Sequence, residues 1–291
     1  MKLQLRHEIN EQLFDQLMRQ SHAPAYTHTW YLDAVCGQWA ALVFGDYEAV
    51  FILPQKKKWG FTYLMQPDFC QQLGLWGKNT SPQMLQQCMD FVQKKYLYGV
   101  IQLPKIATEN RKFQVSERNN FILHLDSKPP IYATNHTRNL KKAQKNGIYT
   151  QKIELEACIT FFRINKGNEL NLTDANYKNL RNLLIAAQKN NALQCHAAYN
   201  QTQKLVAIAV YICTPSEAIY ILSAADSEGK NGGAAFLLVH NFITQNKFLR
   251  LNFEGSDKPN LARFYGGFGA VLRPYSKVWW SKFNLNLFKK R

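Results

Sequence analysis

The stretch from Ala218 to Gly269 constrains the fold of this chain more than any other. It opens with a run of β-formers, Ile219, Tyr220, Ile221 and Leu222, which ends at the turn residues Asp226-Ser227-Glu228-Gly229. Lys230-Asn231-Gly232-Gly233-Ala234-Ala235 comes next, and then Phe236, Leu237, Val239, His240, Phe242 and Ile243 recur at helical spacing. A short strand is expected over Leu249 to Glu254, and a short polar helix ending in glycines over Asn260 to Gly269. A glycine turn feeding a helix leaves several backbone N–H groups without intrahelical partners and aims them outward. Such an end attracts anions, phosphates above all.

The rest of the chain repeats an order of elements, with no repeat in the sequence itself. In the first half, strands are expected at Lys2–Ile9, Trp39–Phe44, Glu48–Pro54, Phe61–Gln66, Val100–Leu103 and Asn120–Leu125. Helices are expected near Asn10–Ser21, Thr29–Val35 and from Ser81-Pro82 onward, and Lys56, Lys57, Lys58 and Gly60 make a basic hairpin tip. The second half has the same order. Ile148–Ile153 reads as a strand, Glu156–Arg163 and Thr173–Asn190 as helices, and Gln194–Tyr199, Leu205–Ile212 and Ala218–Ala225 as strands. Val271 to Lys282 alternates enough to finish that second sheet. At roughly 150 residues per domain, a 291-residue chain makes two domains, expected at 1–130 and 131–291.

The pattern at Lys230, Gly233 and Ala235 resembles the coenzyme A signature of the GNAT acyltransferase superfamily, Gln/Arg-x-x-Gly-x-Gly/Ala, with lysine where glutamine or arginine is usual. Asn260-Leu261-Ala262-Arg263-Phe264-Tyr265-Gly266-Gly267-Phe268-Gly269 resembles the second signature of that superfamily. Two such copies, only the second carrying the phosphate turn, are similar to the Fem (FemABX-like) aminoacyltransferases that build peptidoglycan bridges. Thr29-Trp30-Tyr31-Leu32, Gln72-Leu73-Gly74 and Thr137 to Gly147 carry that likeness. The resemblance implies an α/β fold with mixed sheets: two tandem GNAT-like folds, the first degenerate. It also implies that Lys230, Asn231, Gly232, Gly233, Ala234, Ala235 and Asn260 hold the phosphates of an acyl donor, and that Tyr265 protonates the leaving group.

Charge narrows the partners. Lysines and arginines outnumber acids 36 to 20, giving a formal net charge of +16, and a field of that sign draws in polyanions such as RNA, nucleotide cofactors or anionic lipid. Arg138, Lys141, Lys142 and Lys145 stand at i, i+3, i+4 and i+7, so they share one helix face, closed by Asn146-Gly147, with no acid interleaved. A solvated basic face fits the same pattern. If the resemblance holds, this face meets an anionic donor or substrate. The C-terminal run from Lys277 to Arg291 mixes aromatics and cations, which suits a membrane interface or a nucleic-acid backbone as well as a last strand with a solvated tail.

No apolar run approaches the roughly 20 residues that span a bilayer, and acids stand where a signal peptide would have its apolar core, so a cytoplasmic protein is expected. The six cysteines are scattered without a CxxC pair, which reads as buried, reduced thiols. The seven histidines include no HExxH, so no metal is expected.

Acyl transfer to an amine needs an oxyanion donor, a base for the amine and an acid for the leaving group. Alternation in Leu249-Arg250-Leu251-Asn252-Phe253-Glu254 sets Glu254 opposite the Leu/Phe face and makes it the first candidate base. A salt bridge to Arg250 or Arg263 would occupy it equally well. Asp226 and Ser256 are candidates for contacts with the acceptor. Fem enzymes that use aminoacyl-tRNA commonly carry lysine at the position of Tyr265, a departure that moves the expected donor toward a coenzyme A thioester. The expected activity is N-acyl transfer to a small or lipid-linked amine. The alternatives are aminoacyl-tRNA-dependent bridge synthesis, with tRNA and peripheral membrane association as partners, and a non-catalytic basic module binding RNA or an anionic membrane.

Overall fold

The computed structural model of the chain describes residues 1–106, 113–125, 129–245, 248–255 and 257–282. In chain order, β1 (Lys2–Leu5) is followed by α1 (Glu11–Gln20), α2 (Thr29–Val35), β2 (Gln38–Phe44), β3 (Ala49–Lys58), β4 (Phe61–Met65) and β5 (Leu75–Gly77). Next come α3 (Pro82–Lys95), β6 (Tyr98–Pro104), β7 (Gln114–Arg118), β8 (Phe121–His124), α4 (Thr134–Lys145) and β9 (Tyr149–Lys152). After these stand α5 (Leu155–Phe162), α6 (Asn168–Leu170), α7 (Asp174–Lys189), β10 (Leu193–Tyr199), β11 (Leu205–Cys213) and β12 (Glu217–Ala225). The remaining elements are α8 (Ser227–Gly232), α9 (Ala234–Gln245), β13 (Arg250–Asn252), α10 (Pro259–Gly266), β14 (Val271–Leu272) and β15 (Tyr275–Ser281).

Local chemistry explains the helix ends. The Asn10 side chain accepts from the amides of Gln12 and Leu13 to start α1, which buries Phe14, Leu17 and Met18. Ser81 caps α3, with Pro82 in the first turn where its missing N–H costs nothing. Thr173 and Asn176 cap α7 reciprocally.

The chain forms two compact units: Met1–Arg118 together with the segment beginning at Pro274, and Asn119–Arg273. Among the described residues the first holds an eight-stranded sheet in the order β1-β2-β3-β4-β6-β15-β7, with β5 on β3. The second holds a seven-stranded sheet in the order β14-β8-β13-β12-β11-β10-β9. Both sheets share one plan: an antiparallel meander, then one parallel joint, then two further antiparallel strands. The parallel joints are β4 with β6, through Leu64↔Gly99 and Met65↔Val100, and β12 with β13, from Glu217↔Arg250 to Ile219↔Asn252. Parallel neighbours require a crossover, and helices supply it: α3 in the first unit, α8 and α9 in the second. Each unit closes over its own apolar core, around Phe51, Leu64, Tyr96 and Trp280 in the first and Tyr211, Leu238, Phe242 and Phe253 in the second.

Two expectations shift. The second unit starts at Asn119 rather than at 131, because β8 pairs with β13 through Leu123↔Leu251. The strand at Tyr275–Ser281, expected to finish the second sheet, lies in the first, paired with β6 from Tyr275↔Pro104 to Ser281↔Tyr98. Packing fixes that choice: Val278 and Trp280 are buried in the first core, and Gly99 leaves room for the Trp280 ring, whose Cη2 lies 2.1 Å from where a Cβ would stand.

Beyond their last paired residues the two parallel joints differ. After Met65 in the first unit, the Gln66 amide donates to the Val100 carbonyl at 2.8 Å, and its side-chain oxygen accepts from the Gln102 amide at 2.9 Å. The Leu73 amide then takes the Gln102 carbonyl at 2.8 Å. That gap is filled by the chain's own hydrogen bonds.

Candidate active site

In the second unit no hydrogen bond among the described residues fills the corresponding gap. Parallel pairing stops at Ile219↔Asn252, and the chain after Asn252 turns to β8: the Phe253 amide donates to the Phe121 carbonyl at 2.9 Å and the Phe121 amide to the Glu254 carbonyl at 3.2 Å. Tyr220 and the rest of β12 therefore continue without a ladder partner on the β13 side among the described residues.

Glu254 stands where the strands part, with φ of +61°, a conformation that L side chains rarely adopt and that persists only where the surroundings impose it. Here the Asn252 side chain accepts the Glu254 amide at 2.9 Å. The residue is part-exposed, yet its Oε1 is fully enclosed and has no hydrogen-bond partner among the described residues. Burial, and secondarily the charge of Glu217, push its carboxyl up to about 8. Glu217, 2 % exposed, takes Arg250 Nε at 2.9 Å and Asn252 Nδ2 at 3.3 Å on one oxygen, leaving Oε2 without a partner among the described residues. Its carboxyl is also raised, because burial outweighs the Arg250 guanidinium. Of the two arginines that competed as partners for Glu254 in the sequence, Arg250 thus bonds Glu217.

Tyr265, on α10, is buried beside Phe253 and Tyr220. Its ring stacks on Phe253 at 4.8 Å and meets Tyr220 edge-on at 6.4 Å. Burial, with the neighbouring Tyr220 and the Glu254 charge, raises the phenol well above its ordinary value, so it stays protonated at neutral pH. The structure thus places Tyr265 on Phe253, the residue before Glu254, within reach of the Glu254 charge. Pro259 starts α10, and Gly267 stands just past it without a Cβ because one would lie 1.9 Å from His136 Cε1. His136 is buried on α4 and reaches the Phe264 carbonyl through Nε2 at 2.7 Å, which ties α4 to α10.

The glycine turn departs from expectation. Asp226 to Gly229, expected to be the turn that ends the strand, begins α8. The Asp226 side chain accepts from the Gly229 amide at 2.7 Å and is paired with Lys204 at 2.9 Å. Asp226 is thus a helix cap held in an ion pair, in place of the expected acceptor contact. The Lys230 amide is spent on the Asp226 carbonyl and the Gly233 amide on the Gly229 carbonyl, while Asn231 and Gly232 lie within α8. Gly233 has φ of +82°, and a Cβ on it would meet the Asn139 carbonyl oxygen at 2.6 Å. The α4 backbone therefore covers the turn, Ala234 is fully buried, and Ala235 is part-buried. Of the expected donor amides, those of Lys230 and Gly233 are spent within the turn.

The turn instead borders a cleft of about 350 Å³ lined by Lys142, Asn146, Ile148, Asn200, Glu228, Asn231 and Gly232. This cleft joins the turn to the basic helix. Arg138, Lys141, Lys142 and Lys145 are all exposed on α4, and none has an ion-pair partner among the described residues. Lys230 and Asn260 are exposed, and Ser256 lies outside the described residues.

Sequence reasoning missed Glu217, Tyr220 and His136. Glu217 stands just after Pro215-Ser216, one residue before the expected strand, and an acid entering an apolar strand was the available signal. Among the described residues no group of three or more His, Cys, Asp and Glu could hold a metal ion, and no helix is long and apolar enough to cross a membrane.

No protein-family model and no curated protein matches the sequence. Among solved structures the chain superposes on FemX with a TM-score of 0.68 at 12% identity, over 95% of this chain and 97% of that one. It superposes on L-PGS from Bacillus licheniformis with a TM-score of 0.56 at 13% identity, covering 96% and 93%. A C-terminal domain assigned to a lysylphosphatidylglycerol synthetase from Agrobacterium fabrum gives 0.59 at 11% identity, covering 94% and 91%. The chain thus shares the fold of FemX and of these two proteins.

Proposed function

We propose that the second unit is an acyltransferase that moves an acyl or aminoacyl group from a polyanionic carrier to an amine. The observation that carries this reading is the meeting of a carboxyl with an unpartnered, enclosed oxygen and a buried phenol where β12 and β13 part. Catalytic bases work best with a proton affinity near the operating pH, and Glu254 at about 8 meets that condition. Ionised Glu254 takes the amine proton as nitrogen attacks the acyl carbon. The bond to the leaving atom then breaks, and Tyr265 gives that atom its proton. The unpaired edge of β12 beyond Ile219 supplies backbone N–H donors for the oxyanion.

The amides of Lys230 and Gly233 are spent within the turn, and Asp226 and Glu228 put negative charge beside it. The carrier's phosphates fall instead to Arg138, Lys141, Lys142 and Lys145, with Lys142 and Asn231 at the cleft. Along β12, Tyr220 and the strand's last residue, Ala225, are about 17 Å apart at the usual rise per residue, a span suited to an extended carrier arm. Coenzyme A thioesters and aminoacyl-tRNA both have such arms. The likeness to FemX and to proteins named for lysylphosphatidylglycerol supports an acceptor from the cell envelope.

Binding of labelled acetyl-CoA and of charged tRNA to the full chain tests the carrier site. Replacing Arg138, Lys141 and Lys142 by glutamine should weaken the bound carrier and lower the slope of log affinity against log salt by about 2 to 3. Binding of neither carrier, or an unchanged slope, overturns the assignment, and no transfer from either carrier across a panel of amines overturns the enzyme.

A further inference from the structure

The β3–β4 hairpin in the first unit carries a feature that acyl transfer does not use. Its last ladder pair is Lys58↔Phe61, so Trp59 and Gly60 form a two-residue turn, with φ of +50° and +80°. A turn with both residues in the left-handed region favours Asn-Gly or Gly-Gly, and a bulky ring in its first place is sterically unfavourable. That ring is 79% exposed, and Phe61 beside it is 62% exposed. A Cβ added at Gly60 would meet nothing within 4 Å, so the tip stands clear of the rest of the unit. Lys56, Lys57 and Lys58 are exposed behind it, Lys58 Nζ lies 4.4 Å over the Trp59 ring, and no acid occurs between Glu48 and Asp68.

We propose that this hairpin tip docks the protein on an anionic lipid surface, with Trp59 and Phe61 entering the headgroup region and the three lysines on lipid phosphates. Aromatic rings with a wet edge settle at the membrane–water boundary, and lysines near an anionic leaflet are drawn to it. Single-stranded nucleic acid is bound in grooves over stacking platforms, whereas this tip is a convex apex with its ring outermost. The docking surface belongs to the first unit, whereas the transfer chemistry belongs to the second.

Sedimentation of the full chain with vesicles of equimolar phosphatidylglycerol and phosphatidylcholine, against phosphatidylcholine alone, tests the proposal. The protein should bind the anionic vesicles selectively, and Lys56, Lys57 and Lys58 changed to glutamine should weaken binding by roughly fivefold per lysine. Trp59→Asn is the sharper variant. Asparagine tolerates a left-handed turn, so thermal stability should hold or rise while vesicle binding falls about tenfold. Wild-type protein that ignores anionic vesicles, variants that bind them as wild type does, or variants that lose single-stranded RNA instead would each overturn the proposal.

Discussion

Replacing Glu254 by glutamine should stabilise the protein, and by an amount that grows with pH. In the unfolded chain the carboxyl titrates at its ordinary 4.5, and in the fold at about 8, because burial and the Glu217 charge penalise the ion. Below 4.5 both states hold the proton and the group has no effect. Between the two values the folded state binds a proton that the unfolded state has released, so stability falls as pH rises, and above about 8 the loss is complete. At about 1.4 kcal/mol per tenfold change in proton affinity, the interval bounds the loss on the order of 5 kcal/mol. Glu254 is part-exposed, and solvent reduces the effect to roughly 2 to 4 kcal/mol. Glutamine keeps the shape and cannot ionise. Urea unfolding of both proteins from about pH 5 to about pH 9 should give curves that coincide in acid and separate toward alkali by that amount. Glu217 and Glu254 are coupled through their charges, so the difference reports Glu254 together with its effect on Glu217. Parallel curves at every pH would refute the buried, partnerless carboxyl.

Gly267→Ala should cost about 1 to 3 kcal/mol, since its Cβ would fall 1.9 Å from His136 Cε1. Adding His136→Ala should make the Gly267→Ala step cheaper in thermal unfolding, and full additivity would refute the contact. Tyr265→Phe keeps the stack on Phe253 and removes the proton donor, so transfer should fall about 10²- to 10⁴-fold in kcat with the unfolding temperature within a few degrees of wild type. Unchanged turnover would remove Tyr265 from the chemistry.

Much of the plan was legible in the residues. Ile219 to Leu222, and the long apolar run from Leu205 to Ile212, announce strands by composition alone, and Asn10, Ser81 and Thr173 mark helix starts through their own side-chain oxygens. Alternation singled out Glu254, but it could not tell that Arg250 and Asn252 converge on Glu217, because that meeting depends on a parallel register. The Tyr275–Ser281 strand has the right pattern for either sheet, and its partner lies far back in the chain. β7, exposed at every residue, offers no period to read. The Asp226-Ser227-Glu228-Gly229 run has turn composition, and it became a helix because Asp226 caps Gly229. That cap takes up the Gly229 amide, and the helix it starts takes up the Lys230 and Gly233 amides of the expected seat.

The pH dependence of kcat/KM for acyl transfer, in wild type and in Glu254→Gln, tests the central claim most directly. In wild type the rate should climb about tenfold per pH unit and level off near 8, where Glu254 ionises. Glu254→Gln should be slower by about 10²- to 10⁴-fold and should lack that limb. A wild-type limb in the ordinary carboxylate range, or a glutamine variant that keeps the same profile, would contradict a base buried where β12 and β13 part.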